Sequence, residues 1–268
     1  MLLLFCGQAF FPALESPEGI GLRRFQRNCL RNDLLAIRYG QGCDNVEIGA
    51  LPVKFDFGIV WDYLPLLIRG TGMTIGISLL AILLGAVLGL LIGFGKMSDR
   101  WYFSWPASGY IHAFRGTPLI LQILITHFIV VPMFLGTTQA AVAAVAALSL
   151  NSAAYTGEIY RAGIQSIDPG QKEAALSLGM NRYQTMRFII LPQAVKRMIP
   201  AFGNEFIVLV KDSSLVAYIA VPELMYWSNA MKGQYLKVWE PYLTAAVIYL
   251  ILTYLLSKLL HFAERKAA

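Results

Sequence analysis

The residues best placed to do chemistry in this sequence are polar and ionisable side chains set inside apolar runs. Between about Met198 and Ala220 the chain carries Asn204, Glu205, Lys211 and Asp212, with Ser213 and Ser214 following at once. At helical spacing Asn204, Val208 and Lys211 share one stripe, and Glu205 and Asp212 lie on the adjoining one. The run from about Ala140 to Tyr160 puts Asn151, Tyr155 and Glu158 on a further stripe, and Gln122 stands at the start of the run before it. Ionisable groups inside apolar spans are costly, and they usually face a protein interior or a water-filled path. Stripes bearing both signs would lower the desolvation cost of a small solute that carries both an ammonium and a carboxylate. The structural alternative is that Lys211 pairs with Asp212, or both sit at a water interface, while Glu158 pairs with Arg161. Glu205, deepest in its run, is the residue most expected to line a path.

Other chemistries find no support in the spacing. Gly89, Gly93, Gly95 and Lys96 approach a phosphate loop, but the glycines are wrongly spaced, Met97 stands where Ser or Thr is needed, and no strand precedes them. His112, His127 and His261 are isolated from any serine or carboxylate arranged for nucleophilic catalysis. The cysteines Cys6, Cys29 and Cys43 form no CxxC pair and have no histidine near enough for a metal site. A Cys29 to Cys43 disulfide stays open if that segment lies outside the cytoplasm, with free thiols the expected state. No metal, no cofactor and no catalytic role is therefore expected of this chain.

These side chains need long apolar elements to hold them. The chain is 57% hydrophobic and 14% charged, with a mean hydropathy of +0.57, whereas soluble domains carry about 25% charge. Its apolar residues gather into runs long enough for a bilayer, which takes about 20 residues per helix. The reading is an all-α membrane protein with about five transmembrane helices. The first lies between Arg69 and Lys96, where Gly85, Gly89 and Gly93 form a groove for close helix packing. A helical hairpin follows, its first arm beginning near Thr117 and Pro118, its turn at Gly136 to Gln139, and its second arm running from about Ala140 to Tyr160. The fourth span fits about Met198 to Ala220, and the fifth Pro241 to about Leu256.

The net charge of +6 comes from basic residues scattered through loops, with no basic face of interleaved aromatics, so nucleic acid is not an expected partner. Placed on one side, the short loops hold Lys96, Arg100, Arg115, Arg161, Lys172, Arg182, Arg187, Lys196, Arg197, Lys258, Arg265 and Lys266; the other side holds only Lys232 and Lys237. The positive-inside rule then puts the C-terminus in the cytoplasm and the N-terminus outside. Residues 1–60 read as an extracytoplasmic or interfacial segment: Met1 to Phe11 is apolar but too short to span, and it lacks the basic start of a signal peptide. Residues 61–268 form the transmembrane domain.

The loop 166–192, on the expected cytoplasmic side, has the most specific pattern. Asp168 and Pro169 suit an N-cap and a first-turn proline. A short helix Gly170 to Leu178 would carry Ala174, Ala175 and Leu178 on an apolar face, with Gly179 ending it in a left-handed conformation. A second short helix, Asn181 to about Ile190, is expected to stop before Leu191 and Pro192. The result is an amphipathic elbow at the membrane surface.

This loop resembles the signature of ABC importer permeases: Glu-Ala-Ala, three residues, Gly, nine residues, then Ile-x-Leu-Pro. Glu173, Ala174, Ala175, Gly179, Ile189, Leu191 and Pro192 occupy every fixed position. Three other stretches resemble the polar amino acid branch of that family: Phe114 to Leu119 with Gln122, Ala154 to Ile164, and Lys211 to Leu215, where Ser213 replaces the branch's usual threonine. The resemblance runs from about Leu64 to the C-terminus.

The resemblance implies the type I importer permease fold, with the elbow as a coupling helix in which Gln171, Glu173, Ala174, Ala175, Leu178 and Gly179 dock on a separate ATPase. It further implies a multi-pass protein of the bacterial cytoplasmic (inner) membrane. Its partners would be two ATPase subunits holding ATP and Mg, a second permease subunit, identical or paralogous, and an extracytoplasmic solute-binding protein that delivers the amino acid. A secondary transporter would instead show paired inverted repeats with broken helices, and no clear internal duplication is visible.

Overall fold

The computed structural model of the chain describes residues 55–267; the expectations for Met1 to Phe11 and for the three cysteines lie outside them. The described residues are nearly all helical. Helix α1 (Phe57–Lys96) has 40 residues, so it is about 60 Å long, twice the thickness of a bilayer core. It starts at Phe57 rather than near Arg69 because Asp56 caps it, accepting a hydrogen bond from the Gly58 amide at 3.0 Å. The added turns are held by polar contacts: Tyr63 with Gln234, Tyr235 with Asp62 at 3.4 Å, and Lys237 with Asp56 at 3.3 Å.

Helix α2 (Trp101–Gly116) is followed by α3 (Leu119–Ile125), a π turn (Thr126–Val130) and α4 (Val131–Leu135). A 107° bend separates α2 from α3, and it falls where expected, since Thr117 and Pro118 are extended as residues at and before proline prefer. Gly136, at φ +70°, turns the hairpin, which returns as α5 (Ala140–Gln165). Helix α5 packs along α1 on the glycine groove. A Cβ at Gly85 would lie 2.8 Å from the Ser152 Cβ, and one at Gly93 would lie 2.9 Å from the Gly157 carbonyl oxygen. The Thr156 hydroxyl donates across the seam to the Gly85 carbonyl at 2.9 Å. The glycines thus serve packing, which in lipid depends on close backbone approach.

The elbow contains α6 (Pro169–Ser177), α7 (Arg182–Gln184) and a π turn (Thr185–Ile190), and leads into α8 (Leu191–Asp212). A 3₁₀ segment (Ser213–Ile219) ends at Ala220, whose φ is +59°. Helix α9 (Leu224–Tyr235) and α10 (Trp239–Ala267) complete the fold. Helix α9 stands where the sequence suggested only a loop. Glu223, fully buried, caps it by accepting from the Tyr226 amide at 2.7 Å, and also accepts from Tyr249 at 2.9 Å and Thr74 at 3.3 Å. One carboxylate therefore joins α1, α9 and α10.

By length and apolar content, α1, α5 and α10 can each cross a bilayer, and α2 with α3 and α4, bent by 107°, makes a fourth if the bent pair is taken as one span. Helix α8 falls short of that standard because Lys196, Arg197 and Glu205 interrupt its apolar stretch, yet it packs between α5 and α10 as the fifth element of the bundle. The core lies where α1, α5 and the α3–α4 arm meet the end of α8, around Ile77, Ala81, Ile123, Leu148, Leu209 and Val216.

Candidate functional site

The elbow is built by local signals. The Asp168 carboxylate accepts from the Gly170 amide at 2.7 Å, Pro169 opens α6, and Gly179 adopts φ +81°. Asn181 and Gln184 form a capping box, each side chain bonded to the other's amide at 2.9 Å. One expectation needs correction. The second short helix does not stop before Pro192: the π turn Thr185–Ile190 runs directly into α8. Pro192 has no N–H to donate, and the wider π turn accommodates that missing bond, so the chain stays helical through it. The expected apolar face of Ala174, Ala175 and Leu178 divides between interior and surface. Ala175 is 4% exposed, whereas Leu178 is 83% exposed and Ala174 lies open beside Glu173.

The elbow is rooted on the helices above it. Ile167, Ile190, Ala194 and Met198 form a buried cluster that also takes Ile159, Tyr160 and Ile164 from α5. Arg197 of α8 donates to the Ser166 carbonyl at the end of α5. The chain just before α6 and just after the elbow is thus anchored on α5 and α8 together.

These two helices, with the end of α2, line a cavity of about 630 Å³. Its charged lining is Arg115 from α2, Glu158 from α5, and Arg197 and Glu205 from α8; Tyr155 and Asn204 complete its polar wall. The Arg115 guanidinium lies 5.2 Å from the centre of the Tyr155 ring, within cation–π range. Glu158 is gripped by Lys96 and, at 2.7 Å, by Arg161, so it both faces the cavity and fastens α1 to α5. Glu205 is 9% exposed and has no ion-pair partner among the described residues.

Of the ten polar side chains singled out in the sequence, the cavity gathers Tyr155, Glu158, Asn204 and Glu205. Gln122 and Asn151 are buried against each other, Asn151 donating to Gln122 at 2.9 Å, while Gln122 donates to the Phe114 carbonyl at 2.8 Å and the Thr117 carbonyl at 3.1 Å. Gln122 thereby satisfies backbone carbonyls freed at the α2–α3 break, and Asn151 holds it in place. Ser213 donates to the Val210 carbonyl at 2.8 Å. Lys211 and Asp212 lie at the far end of α8 and Ser214 just past it in the 3₁₀ segment, none of them lining the cavity, and Lys211 and Asp212 make no direct ion pair.

Two charged cavity residues were not singled out for the pathway from the sequence: Arg197, counted only as a loop charge, and Arg115, counted as a loop charge and within the Phe114 to Leu119 stretch. Arg197 had a usable signal, since it precedes Asn204 by seven residues and so continues its stripe. No group of three or more His, Cys, Asp or Glu positioned for a metal occurs among the described residues.

Comparison with known proteins accords with this arrangement. The family of binding-protein-dependent transport system inner membrane components matches residues 85–267. The glutamine transport system permease protein GlnP of Escherichia coli (strain K12) is 38% identical over 216 residues, covering 80% of this chain and 98% of that protein. The arginine transport system permease protein ArtQ of Bacillus subtilis (strain 168) is 40% identical over 218 residues, again covering 80% and 98%. A crystal structure of an amino acid ABC transporter with histidines superposes with a TM-score of 0.74 at 43% identity, covering 79% of this chain and 98% of that one. An elbow exposed beneath a cavity of both signs, on a helical scaffold shared with these proteins, identifies the chain as a member of the binding-protein-dependent transport system inner membrane component family, the permeases of ABC importers.

Proposed function

We propose that this chain forms half of the translocation pathway of an ATP-driven importer of polar amino acids in the bacterial cytoplasmic membrane. The observation that carries this reading is the cavity between α2, α5 and α8, where two arginines and two glutamates face one space of about 630 Å³. An amino acid presents a carboxylate and an ammonium, and each sign finds a counterpart on that wall. The names of the relatives, transporters of glutamine and arginine among them, favour the same class of cargo.

The remaining parts of the machine follow from the same reading. Two ATPase subunits, which hold ATP and Mg, dock on the exposed face of α6, where Glu173 offers a charge, Ala174 allows close approach and Leu178 supplies an apolar knob; Gln171 and Gly179 flank them. A second permease subunit completes the pathway, and an extracytoplasmic solute-binding protein delivers the amino acid. The N-terminus lies outside and the C-terminus inside. ATP binding drives alternating access only by favouring one facing state over the other, and the shared footing of α5 and α8 on the elbow is the route by which that preference reaches the cavity. The other candidates, Gln122, Asn151, Lys211, Asp212, Ser213 and Ser214, support the pathway from behind the cavity wall or from the far end of α8.

The test is uptake by the assembled complex in proteoliposomes with Glu205→Gln. The expected result is a lower apparent affinity or rate with ATP hydrolysis retained. Normal affinity and rate in a stably assembled complex would remove Glu205 from the pathway.

A further inference from the structure

A second concavity lies on the opposite side of α5 from that chemistry. It is a groove of about 400 Å³ between the last turns of α1 and the helix α2, walled by Leu88, Leu91 and Ile92 on one side and Phe103 and Pro106 on the other, with Leu150 of α5 at its floor. The walls pinch together at Gly95 and Ala107, where a Cβ on the glycine would sit 3.4 Å from the alanine methyl. Tyr110 spends its one polar atom on the Leu150 carbonyl at 2.6 Å, so its ring completes an apolar wall.

Helix α2 needs support on this side. Of its 16 residues only Ile111 is fully buried. Trp101 and Trp105 are 77% and 78% exposed at its start, as aromatic residues are at a membrane–water boundary. The groove therefore begins at headgroup level and runs into the hydrocarbon region, on the elbow side of the bilayer.

The head of the groove carries a charge pattern of its own. Asp99 and Arg100 are adjacent, exposed, and without an ion pair to each other or to any other described residue. Nearby Lys96 is already engaged by Glu158. What remains is one free carboxylate beside one free guanidinium, one turn before Phe103. A guanidinium matches a phosphate, and a carboxylate accepts hydrogen bonds from a primary ammonium.

We propose that this groove binds a phospholipid with a primary ammonium headgroup, a phosphatidylethanolamine, with an acyl chain between α1 and α2, its phosphate on Arg100 and its ammonium on Asp99. The chain supplies the van der Waals contact that α2 lacks, which is the currency of helix association in lipid. Because α2 ends at Arg115 in the cavity wall, the lipid also seats one wall of the pathway. A purely anionic headgroup would leave Asp99 facing a like charge, and a trimethylated one could not hydrogen-bond to it.

The complex reconstituted in nanodiscs of equal parts phosphatidylethanolamine, phosphatidylcholine and phosphatidylglycerol with matched tails, then examined by native mass spectrometry, tests this without reference to transport. Retained phosphatidylethanolamine should exceed phosphatidylcholine by about threefold, the factor expected of one exposed ion pair. Asp99→Asn should abolish that preference while leaving total retained lipid unchanged. Ala107→Trp should fill the groove and reduce retained lipid; should that variant fail to assemble, Arg100→Gln gives the same readout from an exposed position. Equal retention of the three lipids by the unaltered complex, or a preference that survives Asp99→Asn, would overturn the proposal. So would a photocrosslinker at Leu91 that captures a second copy of the chain instead of lipid. None of these results bears on whether the complex imports amino acids.

Discussion

Gly89→Ala probes the seam on which the bundle depends. An added Cβ would stand 2.9 Å from both the Ala153 carbonyl oxygen and the Gly157 amide nitrogen, and would overlap the Thr156 hydroxyl. Ordinary contact begins at 3.4 Å, so α1 and α5 would have to part by 3.4 − 2.9 = 0.5 Å. Overpacking of this kind costs about 1–3 kcal/mol. The same movement strains the Thr156 to Gly85 hydrogen bond, and such interhelical bonds in a membrane average about 0.6 kcal/mol. Gly76 on the same helix is the control, because its Cβ would meet nothing within 4 Å, and alanine there gains up to about 1 kcal/mol in helix propensity. Gly89→Ala gains the same propensity, which leaves a net cost of about 0.6–2.6 kcal/mol, so at roughly 2–4 °C per kcal/mol for a chain of this size it should lower the melting temperature of the detergent-solubilised complex by about 1–10 °C. Gly76→Ala should leave it unchanged or raise it. Equal melting temperatures for the two variants would refute the packing account of the glycine groove.

Glu173→Lys should leave ATP hydrolysis running while uptake falls, since the exposed α6 face is expected to receive the ATPase; an unchanged ratio of uptake to hydrolysis in proteoliposomes would contradict that. Glu223→Ala strips the acceptor from Tyr226, Tyr249 and Thr74 at about 1–3 kcal/mol per orphaned donor, so assembled complex should be lost on size-exclusion chromatography, with Glu223→Gln recovering part of it. Asp56 carries a pH signature. Its carboxyl is held below the ordinary value by the hydrogen bond from Lys237 and then by the Gly58 amide. A depressed carboxylate stabilises the folded state above its ordinary value and loses that contribution as pH falls through the folded one. Hydrogen exchange at Gly58, corrected for its intrinsic rate, should therefore quicken below about pH 4 and lose that dependence in Asp56→Asn.

Much of the elbow could be read from residue order because its determinants act over a few positions. A capping carboxylate reaches an amide two residues on, a first-turn proline needs no donor, and Gly179 takes a left-handed φ that a side chain would resist. The error at Pro192 came from treating proline as a stop, when a π turn just before it lets the helix run through.

Of the expected stripe Asn204, Val208 and Lys211, helical phase along α8 brings Asn204 and Val208 to the cavity wall beside Glu205 of the adjoining stripe, whereas Lys211, one turn further on, lies beyond it. Beyond Asp212 the period tightens to 3₁₀, and the expected grouping of Ser213 and Ser214 with the pathway does not carry over. Glu223 and α9 gave no sequence signal, since a glutamate in a predicted loop looks solvated.

By itself, then, the sequence determined what is local or repetitive: the bilayer-length runs, the small residues on one face of α1, and the capped elbow with its motif. Tertiary structure alone decided which distant side chains meet. Arg115, Glu158, Arg197 and Glu205 share one cavity because three separate helices turn particular faces toward it, while Gln122 and Asn151 turn away to satisfy a break in the backbone. Helical period states which residues lie on a common face. The rotation and crossing of packed helices, set by contacts far apart in the chain, state what that face looks upon.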